Sequence, residues 1–372
     1  MEPSGGVRNN FKTDNIELID SYVAHDNKWH DLRGFTGIRY AARSFLPDGW
    51  LSRYVYHQNN RMFYALLIAI CIQSIGVFAL IQLGLVQYDA GAFPWLGTVV
   101  GGFVFGIGIV YAGGCATGTW YRAGEGLIGS WIALVTYMVM SAIMRSPHAA
   151  GLNKFLGQHT TTHNGIAETL NISVWPLIVL LVAVTLWFVR KELSKPKLKV
   201  ASLPPRRTGL AHLLFEKRWH PFVTAVLIGL IALLAWPLSE ATGRMFGLGI
   251  TSPTANILQF LVGGDSKYLN WGVFLVLGIF IGSFIAAKAS REFRVRAADA
   301  STTLRSAGGG VLMGFGASIA GGCSIGNGLV MTAMMTWQGW IGLVFMILGV
   351  WCASWMLYVR PQRKAKLKTA TA

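Results

Sequence analysis

Charge is what this sequence most lacks. Only 13% of its 372 residues are charged, against 53% hydrophobic. A soluble chain this long would usually form two water-facing domains, and so little charge argues against that. Cysteine is nearly as scarce. Cys71, Cys115, Cys323 and Cys352 have no close cysteine neighbour, which excludes a zinc ribbon or a Cys-x-x-Cys redox pair. All four sit in apolar stretches, where a structural disulfide is not expected. Acidic residues are few, 16 against 32 basic, for a net charge of +16. That excess accompanies no nucleic-acid-binding motif. No ATP-binding or clear ion-coupling motif is present either. The first 60 residues are too polar for a cleavable signal peptide.

Long apolar runs are abundant. They cover approximately residues 62–86, 95–115, 127–144, 172–189, 221–238, 268–287, 307–323 and 339–359. Several approach or exceed the roughly 18–20 residues that cross a bilayer as helix. Residues 1–60 differ, holding seven of the sixteen acidic residues and no such run. The expected organisation is an atypical segment 1–60, a first membrane repeat 61–190, a basic linker 191–220, a second repeat 221–360 and a basic tail 361–372. The stretch around Ser252 and Pro253 is expected to be a polar loop. Basic residues cluster in the linker, in a stretch with Lys288, Arg291, Arg294, Arg296 and Arg305, and in the tail. With Arg190 and Arg360 at their edges these hold nineteen Lys and Arg, against a thin scatter such as Lys154, Arg244 and Lys267 in the opposite loops. Eight alternating spans then place the basic segments and the C-terminus in the cytoplasm.

The chain also repeats itself. Residues 101–118 and 309–326, "GGFVFGIGIVYAGGCATG" and "GGVLMGFGASIAGGCSIG", are identical at nine of eighteen positions. With the expected topology the copies run in opposite directions through the membrane, as in transporters built from two halves. The fold class expected is therefore an all-α polytopic membrane protein. It would have two inverted, pseudo-symmetric repeats and short re-entrant or broken helices at the Gly-Gly-Cys motifs. Gly102-x-x-x-Gly106 and Gly310-x-x-x-Gly314 suit close helix packing. Gly113-Gly114 and Gly321-Gly322 instead favour unwinding, which the bilayer tolerates only inside protein or beside a cavity. Each repeat would deliver one thiol, Cys115 or Cys323, to such a kink. Cys71 and Cys352 lack this context and read as small apolar fillers. Arg122 and Glu125 follow the first kink as candidates for gating, with an interfacial ion pair as the plainer reading. His148, His159 and His163 read as solvated loop residues rather than metal ligands.

"GGFVFGIGIVYAGGCATGTWYRAGEGLIGSW" and "GGVLMGFGASIAGGCSIGNGL" resemble the two signature segments of the YeeE/YedE family of bacterial inner-membrane thiosulfate transporters. The resemblance covers about residue 60 to the C-terminus. It implies an hourglass of two inverted halves, in which waist cysteines pass thiosulfate along by S–H hydrogen bonds. By motif match, Cys115 and Cys323 would be two of them. It also implies a TusA-like sulfur-carrier protein as cytoplasmic partner, and no cofactor. The family has a further cysteine in a first helix that this chain lacks. Residues 40–58 read "YAARSFLPDGWLSRYVYHQ" instead. Suitable codons for 40–56, read one base later, spell Met-Gln-Arg-Gly-Arg-Phe-Cys-Leu-Thr-Gly-Gly-Phe-Arg-Asp-Met-Tyr, the missing motif. The segment is accordingly read as a frameshift product, which would impair transport, with a divergent natural N-terminus as the plainer alternative.

Thiosulfate is a small dianion and costly to bring bare into hydrocarbon. Backbone N–H groups at the kinks and the S–H groups of neutral thiols are suitable donors. A thiolate would repel the ion and could not donate. Two other functions fit the cysteines. One is a membrane thiol enzyme passing sulfur as persulfide, although no His or other base stands beside either cysteine. The other is a scaffold docking the sulfur carrier through basic loops. Sequence alone does not separate thiosulfate from sulfite or a selenium oxyanion.

Overall fold

The computed structural model describes residues 61–194, 219–290 and 293–360. Segment 1–60 with its frameshift reading, most of the linker, Arg291 and the tail lie outside the described residues. Within them, apart from three isolated β-bridges, regular structure is helical. The helices are α1 (Arg61–Gln82), α2 (Trp95–Ala112), α3 (Ala116–Gly124), α4 (Ile128–Ile143), α5 (Ala150–Gly157), α6 (Ile166–Thr169) and α7 (Val174–Leu193). They continue with α8 (Pro221–Glu240), α9 (Thr251–Gly263), α10 (Trp271–Ala289), α11 (Ala300–Ile319) and α12 (Trp337–Ser354). Two π-helical stretches, Gly326–Met331 and Trp355–Val359, flank α12.

Local chemistry sets several of the boundaries. Pro221 opens α8, where its missing N–H would have had no helical acceptor. Asn270, Asp299 and Thr336 cap α10, α11 and α12, each accepting from the amide three residues on.

Six helical stretches are long and apolar enough to cross a membrane: α1, α2 with α3, α7, α8, α10, and α12 with its π-helical end. A bent pair, α4 with the segment ending at Leu156, makes a seventh if taken as one span, turning by 69°. Eight runs were expected. The shortfall comes from α4, only 16 residues long, and from α11, whose Ser, Thr and Gly residues dilute its apolarity. The stretch at Ser252 and Pro253 is not a loop. It opens α9, a 13-residue helix. Its first turn carries Pro253 without penalty, and its Thr, Asn and Gln residues hid it from a search for apolar runs.

The centre of the fold is the seam between α2 and α11. A Cβ on Gly101 would lie 2.6 Å from the Gly316 oxygen, and one on Gly108 would lie 2.7 Å from the Met313 nitrogen. The same test puts Gly316 2.5 Å from the Phe105 nitrogen and Gly309 against Ala112. Backbone therefore touches backbone, and only glycine fits. Early residues of α2 meet late residues of α11, so the two helices run antiparallel. The contacts also come in pairs offset by the 208 residues of the sequence repeat. Gly101 meets Gly316 as Gly108 meets Gly309, and Phe105 meets Gly316 as Gly108 meets Met313. The outer helices follow suit: α12 lies on Gly102 and Gly106 of α2, and α4 on Gly310 and Gly314 of α11.

Around this centre, α1 packs on α8 and runs antiparallel to α7. Tyr64 stacks on Phe188 with ring centroids 5.3 Å apart. Cys71 donates its S–H to Thr185 Oγ1 at 3.3 Å, which gives this cysteine a packing role away from the kinks.

Candidate functional site

Both Gly-Gly-Cys segments break their helices. Gly113 ends α2 with φ of 70°, and Gly321 follows α11 with φ of 73°, left-handed values that glycine adopts without strain. At the first break the Gly114 amide reaches back to the Ile109 oxygen at 2.9 Å, closing the helix end. Cys115 then starts α3 as its N-cap. Its sulfur accepts from the Gly118 amide at 3.5 Å, and its carbonyl accepts from Thr119 Oγ1 at 2.9 Å. The Gly118 contact uses a sulfur lone pair and leaves the thiol proton out of that bond.

The second break is held by amide side chains. Freed carbonyls must find donors when buried. Asn327 Nδ2 donates to the oxygens of Ala320 at 2.8 Å and Gly322 at 3.3 Å. Gln338 Nε2 donates to the same Ala320 oxygen at 3.0 Å and to Asn327 Oδ1 at 3.3 Å. Asn164 fixes Gln338 in turn, accepting from its backbone N–H at 3.0 Å. All three side chains are buried. The π-helical stretch begins at Gly326 and keeps Asn327 turned towards the break.

Cys115 is 0% exposed and Cys323 1%, and both belong to one apolar core. Because α2 and α11 are antiparallel, the two segments leave the helix pair at opposite ends. Tyr137 of α4, wholly buried, lies within electrostatic reach of both thiols. Its hydroxyl bonds to Thr251 Oγ1 at 2.8 Å, at the start of α9. Trp120 of α3 joins the same helix through Nε1 to Thr254 Oγ1 at 2.9 Å.

A cavity of about 100 Å³ opens beside Cys323. Arg145, Arg244, Thr251, Ser252 and Gly322 line it with the thiol. Arg145 Nη1 donates to Asn256 Oδ1 at 3.1 Å, and Nη2 donates to Ser252 Oγ. Arg244 Nη1 is held by Ser239 Oγ at 3.1 Å and by the oxygens of Phe246 and Gly247 at 3.2 and 2.7 Å. Among the described residues neither guanidinium has a carboxylate partner. Partial burial, with the charge of Arg145 adding to it, draws Arg244 down to about 10, so it stays cationic at neutral pH.

The expected residues thus form two groups. Gly113, Gly114 and Cys115 sit with Arg122, whose Nη1 lies 3.8 Å from where a Gly113 Cβ would be. Glu125 is 2% exposed at the far end of α3. Gly321, Gly322 and Cys323 line the cavity. The three loop histidines join neither group. His159 packs on Trp95 and Phe155, and no three metal-ligating side chains converge among the described residues. Sequence reasoning missed Arg145, Asn164, Tyr137, Asn327 and Gln338, and weighed Arg244 only as loop charge. Asn164, Asn327 and Gln338 fall between the apolar runs, where polar residues are ordinary, so nothing in the sequence singled these amides out.

The sulphur-transport family matches residues 44–352. The thiosulfate transporter TsuA of Escherichia coli (strain K12) is 81% identical over 330 residues, 89% of this chain and 94% of that protein. The thiosulfate transporter TsuA of Spirochaeta thermophila is 31% identical over 319 residues, 82% of this chain and 90% of that protein. The probable transporter YedE of Escherichia coli (strain K12) is 40% identical over 101 residues, 27% of this chain and 23% of that protein.

Proposed function

Because the chain belongs to the sulphur-transport family, we propose that it carries thiosulfate across the bacterial inner membrane into the cytoplasm. Thiosulfate is passed between the thiols of Cys323 and Cys115. The 81% identity to a thiosulfate transporter over nearly the whole of both chains is the observation that carries the substrate. The burial of both thiols in one core supports the path.

The basic loops face the cytoplasm in this reading, which puts the cavity at the outer mouth and α3 at the inner one. Paired contacts along the α2–α11 seam support an inverted relation between the repeats. An incoming dianion meets the Arg145–Arg244 cavity first and then Cys323. It passes Tyr137 and reaches Cys115, whose sulfur is oriented by the Gly118 amide. Each donor replaces part of the ion's hydration, and none holds it by full charge beyond the cavity, so release is not blocked. Gly113, Gly114, Gly321 and Gly322 keep the breaks open so that backbone and thiol donors face the path. Arg122 and Glu125 gate the inner mouth. A TusA-like sulfur carrier on the cytoplasmic side, beside basic residues such as Lys288, Arg294 and Arg296, receives the ion.

Purified protein in liposomes tests this. Labelled thiosulfate should accumulate inside with this chain as the sole protein. Liposomes that stay as empty as protein-free controls would overturn the reading.

A further inference from the structure

At its basic end α10 carries an apolar groove that the thiosulfate path does not use. A cavity of about 320 Å³ opens there, lined by Ile128, Trp131, Phe280, Phe284, Phe293 and Val295. Its size falls at the low end of the roughly 300–1,000 Å³ typical of small-ligand pockets. Phe280 and Phe284 stand one turn apart on α10, with Lys288 a further turn on. At a helical rise of about 1.5 Å per residue, Phe280 and Lys288 are about 12 Å apart along the axis. Little of α10 is covered by the rest of the protein. The Phe280 end of the groove therefore lies at the depth of acyl chains, and the Lys288 end at the membrane surface. That outer end is basic. Lys288 Nζ lies 5.5 Å from the centre of the Phe284 ring and 5.6 Å from that of Phe293, which holds its charge at the mouth. Arg294 and Arg296 flank Val295, and all three are exposed.

We propose that this groove binds an anionic phospholipid, with an acyl chain against Trp131, Phe280 and Phe284 and the headgroup phosphate at Lys288. A trough that is apolar at depth and meets cations at the surface matches such a lipid along its length, and basic pockets between spans suit acidic headgroups. A soluble protein reaches the mouth but not the depth of Phe280. The bound lipid braces the first helix break. Trp120 and Trp131 both set their rings edge-on to Phe280, with centroids 6.3 and 5.2 Å away, and Trp120 belongs to α3, whose N-cap is Cys115. The segment after α10 is also tied to the turn between α3 and α4. The Arg296 N–H donates to the Gly126 oxygen at 3.0 Å, and the Arg296 oxygen accepts from the Ile128 N–H at 3.0 Å. A chain in the groove therefore presses on α3 from the lipid side. The site needs only that α10 spans a bilayer, whichever ion the protein carries. The sulfur carrier invoked above would meet a surface whose groove is already filled.

Native mass spectrometry of the purified full chain, delipidated in mild detergent and then given one lipid at a time, tests it. Phosphatidylglycerol and phosphatidylcholine with the same chains are the probes, with glycerol phosphate as a headgroup alone. The unaltered protein should retain phosphatidylglycerol severalfold better than phosphatidylcholine, and glycerol phosphate not at all. Lys288→Gln should cut the preference for phosphatidylglycerol by about fivefold, the worth of one basic residue near an anionic surface. Val295→Asp, at a position 69% exposed, puts a like charge at the mouth and should cut it as far. Arg190→Gln removes a cation at the end of α7, away from the groove, and should leave the preference unchanged. A thermal melt in lipid-free detergent matching wild type confirms that each variant is folded. The unaltered protein supplies a variant-free check, since phosphatidylglycerol should raise its melting temperature more than phosphatidylcholine does. Equal retention of the two lipids, or wild-type preference in a folded Lys288→Gln, overturns the proposal. So does a loss in Arg190→Gln as large as in Lys288→Gln, the mark of general attraction to a basic surface, and so does glycerol phosphate held as firmly as the lipid. Val295→Asp that weakens association with a second copy or with a TusA-like carrier, while lipid retention stays unchanged, would give the groove to a protein and overturn it too.

Discussion

At the scale of single residues, the site depends on polar groups that satisfy what the helix breaks expose. Asn327 and Gln338 share the freed Ala320 carbonyl, and Asn327 also takes Gly322. Asn327→Leu removes both donations and the acceptor for Gln338, leaving the Gly322 oxygen without its donor and Ala320 to Gln338 alone, at a cost of about 1–3 kcal/mol. It should lower the melting temperature and slow uptake together, because the break it holds carries Cys323. Arg244 gives a pH signature. Its guanidinium is charged below its value of about 10 and neutral above it. Anion binding at the cavity should therefore stay level from about pH 6 to about pH 9 and fall as pH rises through that value. Calorimetry across that range checks it, and a fall already complete near neutrality would contradict Arg244 as receptor.

At the scale of elements, the α2–α11 seam sets everything else. Gly316→Val would drive a branched side chain into the Phe105 backbone, and overpacking of this kind costs about 1–3 kcal/mol. Loss of thermal stability in Gly316→Val, against little change for Gly308→Val, where nothing lies within 4 Å, is the expected pair of melts. Much of this level was legible in the sequence. The apolar runs became helices within a few residues, and the repeated Gly-Gly-Cys became two real breaks, because burial and glycine chemistry are local signals. α9 was not legible, since a short helix rich in Thr, Ser and Asn has no apolar run to announce it. Nor was the cavity. Arg145 lies just past one helix and Arg244 in a loop more than 90 residues on, and only the fold brings them to Cys323. The charge pattern that gave a topology weighs loop arginines by number and is blind to where they point.

For the whole molecule, the two thiols are buried in one core but leave the central helix pair at opposite ends, with Tyr137 between their surroundings. Transport in this account is a passage from a charged outer cavity to an uncharged interior where hydrogen-bond donors, thiols among them, replace water. If residues 40–56 are a frame-shifted form of the family motif, restoring that motif should raise growth on thiosulfate as sole sulfur source. Gene sequencing of the region gives the direct check.

The passage between thiols is tested most closely by initial uptake of labelled thiosulfate into liposomes containing the protein with Cys115 or Cys323 replaced by Ser or by Ala. Serine retains a donor, so uptake in Cys115→Ser and Cys323→Ser should be reduced but measurable. Alanine removes the donor, and its rate should fall further, by about five- to tenfold for one lost hydrogen bond. Alanine variants that transport as fast as wild type would contradict it, as would serine variants no better than alanine.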